Sequence, residues 1–116
     1  MEKDLFISDY DEEKSRVTVR LCGEIDHHSA ASVRHEIDEM LMRLRPKMLI
    51  IDLSIVDFMD SSGLGLIMGR YSLMEKLGGE TVLRNPGERV KKILSLAGME
   101  RIIRIEKRKA ITNENK

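Results

Sequence analysis

Between positions 16 and 22 apolar and polar residues alternate, with Val17, Val19 and Leu21 on one face and Thr18, Arg20 and Cys22 on the other. That period of two predicts a half-buried strand over Arg16 to Cys22. Leu5-Phe6-Ile7 opens an earlier strand that fades into Tyr10. The polar turn Asp11-Glu12-Glu13-Lys14 joins the two and predicts a hairpin. Gly23 to Ser29 reads as a loop into a helix. Ala30, Val33, Ile37, Met40, Leu41 and Leu44 then recur at spacings of three and four, a single helical stripe. Pro46 bars continuation, so the helix ends near Arg45.

The run Met48, Leu49, Ile50, Ile51 and Leu53 is almost unbroken and apolar, as in a parallel strand covered on both faces. Residues 54–59 are expected to carry the chain out of the sheet. Asp60-Ser61-Ser62-Gly63 reads as a helix start, because a short polar side chain can accept from the first free backbone N–H groups. Leu64, Ile67, Met68, Tyr71 and Met74 continue with helical spacing until Gly78-Gly79. Glu80 to Arg84 is a short strand centred on Val82 and Leu83. Asn85-Pro86 predicts a further helix, Asn capping and Pro in the first turn. Its buried face is Val90, Ile93, Leu94 and Ala97, and Gly98 ends it. Ile102 to Ile105 is either a last short strand or the lead-in to a final helix. Residues 1–3 and about 107–116 are expected to fray, as is the polar tail from Glu106.

The order is a β-hairpin followed by alternating helices and strands, which makes the post-hairpin strands parallel with right-handed crossovers. The predicted class is α/β: one domain, residues 1–116, with a mixed four- to five-stranded sheet and helices mainly on one face. A length of 116 residues allows one real core and not two.

Composition narrows the function classes. Twenty basic residues balance 20 acidic ones, which gives no support for nucleic acid as the main partner. Aromatic content of 3% with no Trp argues against a base-stacking surface. A single cysteine, Cys22, excludes an internal disulfide and suits a reducing cytoplasm. The opening residues lack a basic segment followed by an apolar one, and no run approaches the ~20 apolar residues of a membrane span. A cytoplasmic protein without a membrane span is the expectation.

The chemistry concentrates around the serine pair. One of Ser61 or Ser62 could simply cap the helix, a role worth about 1 kcal/mol. The same hydroxyl could be a modification site, since a phosphate at a helix N-terminus meets free N–H donors and a favourable dipole. Val56, Phe58 and Met59 precede it, with Leu64 and Leu66 after. They either tuck beneath the helix or form an exposed apolar docking patch rimmed by Asp57, Asp60 and the serines. Gly63, Gly65 and Gly69 fall close together, and Gly65 and Gly69 share a face. Helix-interior glycines are costly, so the helix approaches either the sheet or a partner closely.

Other chemistries fit less well. A dinucleotide loop would need G-x-G-x-x-G spacing and a longer fold. A hydrolase nucleophile elbow would need glycine where Met59 stands, and no base partner is placed for Ser61. Asp52 lies where a phosphate-receiver domain keeps its acceptor, but the first strand enters a hairpin and brings no acidic pair for magnesium. Asp26-His27-His28 has no second cluster to complete a metal site, and Asp26 or Ser29 reads better as a cap. No cofactor and no metal are expected, and the chain reads as a binding module and not an enzyme.

GEIDHHSA at Gly23 to Ala30, IDLSIVDFMDSSGLGLIMGRY at Ile51 to Tyr71, and LGGE at Leu77 to Glu80 resemble the STAS family, and within it the anti-anti-sigma factors of endospore formation. The likeness spans about residues 5 to 106. It implies a cytoplasmic partner-switch protein whose unmodified form binds a dimeric anti-sigma factor that is also a serine kinase. That binding would free the sporulation sigma factor, sigma-F. The kinase would phosphorylate Ser61 and so end binding, and a serine phosphatase would restore the hydroxyl. The resemblance places Asp26, Phe58, Met59, Asp60, Ser61, Ser62, Gly63 and Leu64 at the partner contact. The rival within the family is an antagonist of a different anti-sigma factor, for example in stress signalling.

Overall fold

In the computed structural model, which describes residues 6–107, β1 (Phe6–Asp11) and β2 (Arg16–Ile25) form the expected hairpin. There follow α1 (His27–Leu44), β3 (Met48–Met59), α2 (Ser61–Lys76), β4 (Glu80–Arg84), α3 (Glu88–Leu96), a 3-10 turn (Met99–Arg101) and β5 (Arg104–Glu106). The five strands lie in chain order across one sheet. Only β1 is antiparallel to its neighbour; β2, β3, β4 and β5 run parallel. Each parallel neighbour is reached through a helical or 3-10 connection, the span a parallel return needs. Apart from Glu106 and Lys107, the ends expected to fray lie outside the described residues, as does Leu5.

Register explains the core. Val17 and Val19 of β2 stand beside Leu49 and Ile51 of β3, and Ile51 stands beside Leu83 of β4. All five are buried, and they form one cluster with Val33 and Ile37 of α1, Leu66 and Ile67 of α2, and Val90 and Leu94 of α3. The opposite sheet face is different. Arg20, Asp52, Arg84 and Glu106 occupy one rung across β2 to β5, with charges alternating in sign. Arg20 lies 3.9 Å from Asp52, and Arg84 lies 3.7 Å from Glu106. Asp52 also accepts from the Ser54 amide at 2.8 Å and its hydroxyl at 2.6 Å, a structural use for the carboxylate.

Four sequence expectations need correction. First, β2 continues through Gly23 to Ile25, and β3 continues through Ser54 to Met59; neither stretch is a loop. β3 gains one residue on β2 between Asp52 and Ile55 and another between Val56 and Phe58. Such bulges break the period of two. The inward positions become Leu53, Val56 and Met59, which looks nothing like alternation along the chain.

Second, α2 buries Gly63, Leu66, Ile67, Arg70 and Met74, while Leu64, Met68 and Tyr71 are only half-buried. Third, α3 begins at Glu88 behind Gly87 and not at Pro86. Asn85 adopts a left-handed φ of 55° and donates its backbone N–H to the Glu106 carbonyl at 2.8 Å, so it ends β4 and anchors β5. Fourth, Ala97 is exposed; the buried residues of that region are Val90, Leu94, Met99 and Ile103. Ile102 to Ile105 resolves into the link after the 3-10 turn, Ile102 and Ile103, and the start of β5, and Glu106 belongs to that strand.

Candidate functional site

Ile25 and Met59 are register partners at the ends of β2 and β3. Asp26 and Asp60 follow them directly, and each opens a helix. The Asp60 amide donates to the Ile25 carbonyl at 3.3 Å, which ties the two starts together. Two helix N-termini and two carboxylates therefore meet at one end of the sheet, where Ser61 emerges.

Asp26 is the cap of α1. Its carboxylate accepts from the Ser29 amide at 3.0 Å, while the Ser29 hydroxyl accepts from the Asp26 amide at 3.0 Å. This reciprocal pair is a capping box. The Ser29 amide hydrogen bond holds the Asp26 carboxyl below its ordinary value against the opposing effect of desolvation, and the Ser29 hydroxyl, the His28 amide and the His28 charge add to the lowering. A carboxyl more acidic in the folded state stabilises the fold at neutral pH. That contribution disappears as the pH falls through the lowered value. Asp26→Asn keeps a good cap without the charge. Urea titrations at neutral pH and at about pH 3 are expected to show wild type losing stability relative to Asp26→Asn as acid is added. A constant difference between the two would remove the charged-cap account.

Asp60, and neither serine, caps α2. Its carboxylate accepts from the Ser62 amide at 2.8 Å, and its carbonyl accepts from the Gly63 and Leu64 amides at 3.0 and 3.2 Å. The reading in which Ser61 or Ser62 serves as the cap is thereby overturned: the preceding aspartate has taken that task. Among the described residues neither serine hydroxyl makes a hydrogen bond; Ser61 is exposed and Ser62 is half-buried. Ser61 thus presents an uncommitted hydroxyl at the first helical position.

The surrounding apolar residues divide between core and surface. Phe58 is 41% exposed and Ile55 46%, both on the bulged end of β3. Val56 and Met59 are buried, so the wide patch that the sequence allowed shrinks to its outward members. Met59, at 1% exposure, can serve a partner only by supporting α2 from below. Leu64 is half-buried at the edge of the helix.

Gly63 is held against Met59. A Cβ at position 63 would lie 2.6 Å from the Met59 Cβ, closer than side-chain carbons approach. Because the obstruction is a Cβ and not a flexible tip, the first turn of α2 must move to admit it. Gly63→Ala is expected to cost about 1–2 kcal/mol in denaturant unfolding, and Met59→Ala in the same chain is not expected to relieve it. Wild-type stability for Gly63→Ala would show that the turn has slack. Gly65 and Gly69 differ: nothing lies within 4 Å of a Cβ at either. Close packing of helix on sheet therefore accounts for Gly63 alone.

Two features were absent from the sequence reading. Arg70 is buried beneath α2, with Nε 2.8 Å from Asp38 Oδ1 of α1 in an ion pair too bent for a hydrogen bond at those atoms. Its other nitrogens donate to Asp38 Oδ2 and the Leu66 carbonyl, both at 3.3 Å. Burial lowers the Arg70 pKa, Asp38 opposes the shift, and Arg34 adds to it. The second feature is a groove of about 290 Å³ between α1 and α2, bordered by Arg34 and Ser62 among others. An arginine at the helical spacing of a buried stripe was the available signal for the first. The second depends on two helices distant in sequence and had none.

No described helix is long and apolar enough to cross a membrane. Residues 9–110 match the STAS domain family. An anti-sigma F factor antagonist from Paenibacillus polymyxa is 40% identical over 87 residues, covering 75% of this chain and 74% of the relative. The solved structure of the anti-sigma factor antagonist SpoIIAA in its unphosphorylated form superposes with a TM-score of 0.78 at 30% identity, covering 90% of this chain and 88% of that one. The Bacillus cell fate determinant SpoIIAA in its phosphorylated form superposes with a TM-score of 0.71 at 29% identity, covering 90% and 91%.

Proposed function

This chain belongs to the STAS domain family, and from that premise we propose that it is an anti-sigma factor antagonist switched by phosphorylation of Ser61. In this reading the unphosphorylated protein binds, in the cytoplasm, a dimeric anti-sigma factor that is also a serine kinase, and so releases the sporulation sigma factor, sigma-F. The kinase transfers the γ-phosphoryl group of ATP to the Ser61 Oγ, leaving ADP, and the modified chain lets go. A serine phosphatase hydrolyses the ester and returns the hydroxyl.

One observation carries this reading. The Ser61 hydroxyl is exposed and unused because Asp60 already satisfies the helix start. A residue needed for capping could not be modified without loosening α2; this one can. The resemblance to SpoIIAA, solved in both unphosphorylated and phosphorylated forms, supports the same assignment. The contact edge is Phe58, Asp60, Ser61, Ser62, Leu64 and Asp26, with Met59 and Gly63 holding the edge in place from beneath. Activation of a serine for its own catalysis requires a base in hydrogen-bond reach. No described side chain makes such a bond to Ser61, and the proposed role of the chain is that of substrate and binder of the kinase.

Incubation with the kinase and ATP, followed by intact mass and site mapping, tests the proposal. One phosphoryl group on Ser61 is expected, and none on Ser61→Ala. Phosphate on Ser62, or no incorporation, overturns it. Asp26→Asn provides a second check, since it spares the cap while removing the charge. Weaker binding with the fold retained, at a melting temperature lowered only by the lost charge of the cap, is expected, and full affinity would confine Asp26 to the capping box.

A further inference from the structure

We infer that the groove between the N-terminal halves of α1 and α2 receives an acidic side chain of the same anti-sigma partner. The inference rests on the function proposed above and adds a second contact, on α1, to the edge around Ser61. The groove has a volume of about 290 Å³ and is small or apolar at Ala30, Gly65 and Leu66, with Arg34, His27 and Ser62 also lining it. That is room for one side chain and not for a helix. Ser62 belongs to both the groove and the serine pair, so the two surfaces are continuous.

Charge identifies the occupant. Arg34 makes no hydrogen bond or ion pair among the described residues. It also acts unfavourably on the buried Arg70 guanidinium. The carboxylates that open the two helices, Asp26 and Asp60, are occupied as caps. Asp38 is the helical i+4 neighbour of Arg34, the position from which an acid would ordinarily pair with it, but its two oxygens are turned to Arg70. A cation that repels its neighbour and lacks a counter-charge within the chain is complementary to a carboxylate from outside it. Gly65 agrees with this placement. It is unfavourable inside a helix, and a Cβ there would meet nothing within 4 Å. The chain's own packing does not require the missing side chain, whereas an incoming one would use the space.

Calorimetric titration of the full chain with the unmodified kinase partner tests the inference. Arg34→Ala is expected to weaken binding about tenfold and Arg34→Glu about a hundredfold. Neither should lower the melting temperature, because each relieves Arg70 of a like charge. Gly65→Leu, which fills the groove with a good helix former, should also bind more weakly with the fold retained. Wild-type affinity in Arg34→Glu overturns the groove assignment and leaves the Ser61 switch standing. Failure of the wild type to bind any anti-sigma kinase overturns both. Binding of nucleotide alone that is lost in Arg34→Glu would give the groove to a small anion and overturn the acidic side chain.

Discussion

Phosphorylation of Ser61 is expected to weaken binding of the anti-sigma partner by at least about a hundredfold, equivalent to about 2.7 kcal/mol, while the chain keeps its fold. The phosphate adds about −1.5 to −2 charges and three acceptor oxygens. Within the chain these sit at the first position of α2, where the helix dipole favours negative charge. Nothing has to unfold to make room, because the Ser61 side chain is exposed and makes no hydrogen bond.

A docked partner meets a different situation. The proposed contact edge already carries Asp26 and Asp60, with Asp57 exposed just upstream on β3. Burying a dianion beside them without matched cations costs several kcal/mol. Binding of phosphorylated and unmodified protein to the partner, with circular dichroism melts of both, measures the effect. Ser61→Asp, with less charge than phosphate, should show a smaller loss. Equal affinity of the phosphorylated and unmodified proteins would sink the exclusion mechanism.

The second large effect is on stability. Asp38→Ala is expected to destabilise the fold by about 2–3 kcal/mol. Arg70 is 5% exposed, and its guanidinium remains charged in any protein environment. Removal of Asp38 would leave a desolvated cation with the Leu66 carbonyl and the repelling Arg34. The figure sits below that for a fully buried pair because the Asp38 side chain is 35% exposed, so water screens part of the interaction.

Arg70→Met with Asp38→Leu should recover most of the loss, since a packed apolar pair of similar size avoids the desolvation. Urea unfolding of the wild type, both single variants and the double variant gives the coupling directly. A loss under about 0.5 kcal/mol in Asp38→Ala, the range of ordinary surface substitutions, would show that water replaces the carboxylate. The ion pair is also the polar tie between α1 and α2, the two helices that border the groove, so Asp38→Ala should disturb partner binding as well as stability.

The alternation over Arg16 to Cys22, the stripe of α1 and the short apolar strand Glu80 to Arg84 are local patterns, and the elements formed where those patterns lie. The place of Ser61 at a helix start was legible too, because Asp60-Ser61-Ser62-Gly63 is an uninterrupted local string. The second half of β3 was not legible. Its two bulges space the inward residues Leu53, Val56 and Met59 by three, and a single strand carries no mark of where its neighbour gains or loses a residue. The start of α3 was misplaced for a related reason. Asn85 is locally a fine cap, yet its backbone N–H is taken by Glu106, a residue that the same sequence places in a tail. In α2 the chain is apolar around much of its girth, so periodicity could not choose the buried side, and Arg70 was overlooked within it.

The sequence by itself determined the order of elements as far as α3, the α/β class and the serine at the head of the third strand's helix, because propensity, capping chemistry and hydrophobic period are written in neighbouring residues. Only the tertiary structure decided that Ile25 pairs with Met59, and so that Asp26 and Asp60 open their helices side by side. It also decided that Asp60 takes the cap and leaves the Ser61 hydroxyl unspent, and that Asp38 turns to Arg70 and leaves Arg34 facing a groove. Those outcomes depend on hydrogen bonds and charges between segments far apart in the chain, where several partners compete for one group and only the packed arrangement selects among them.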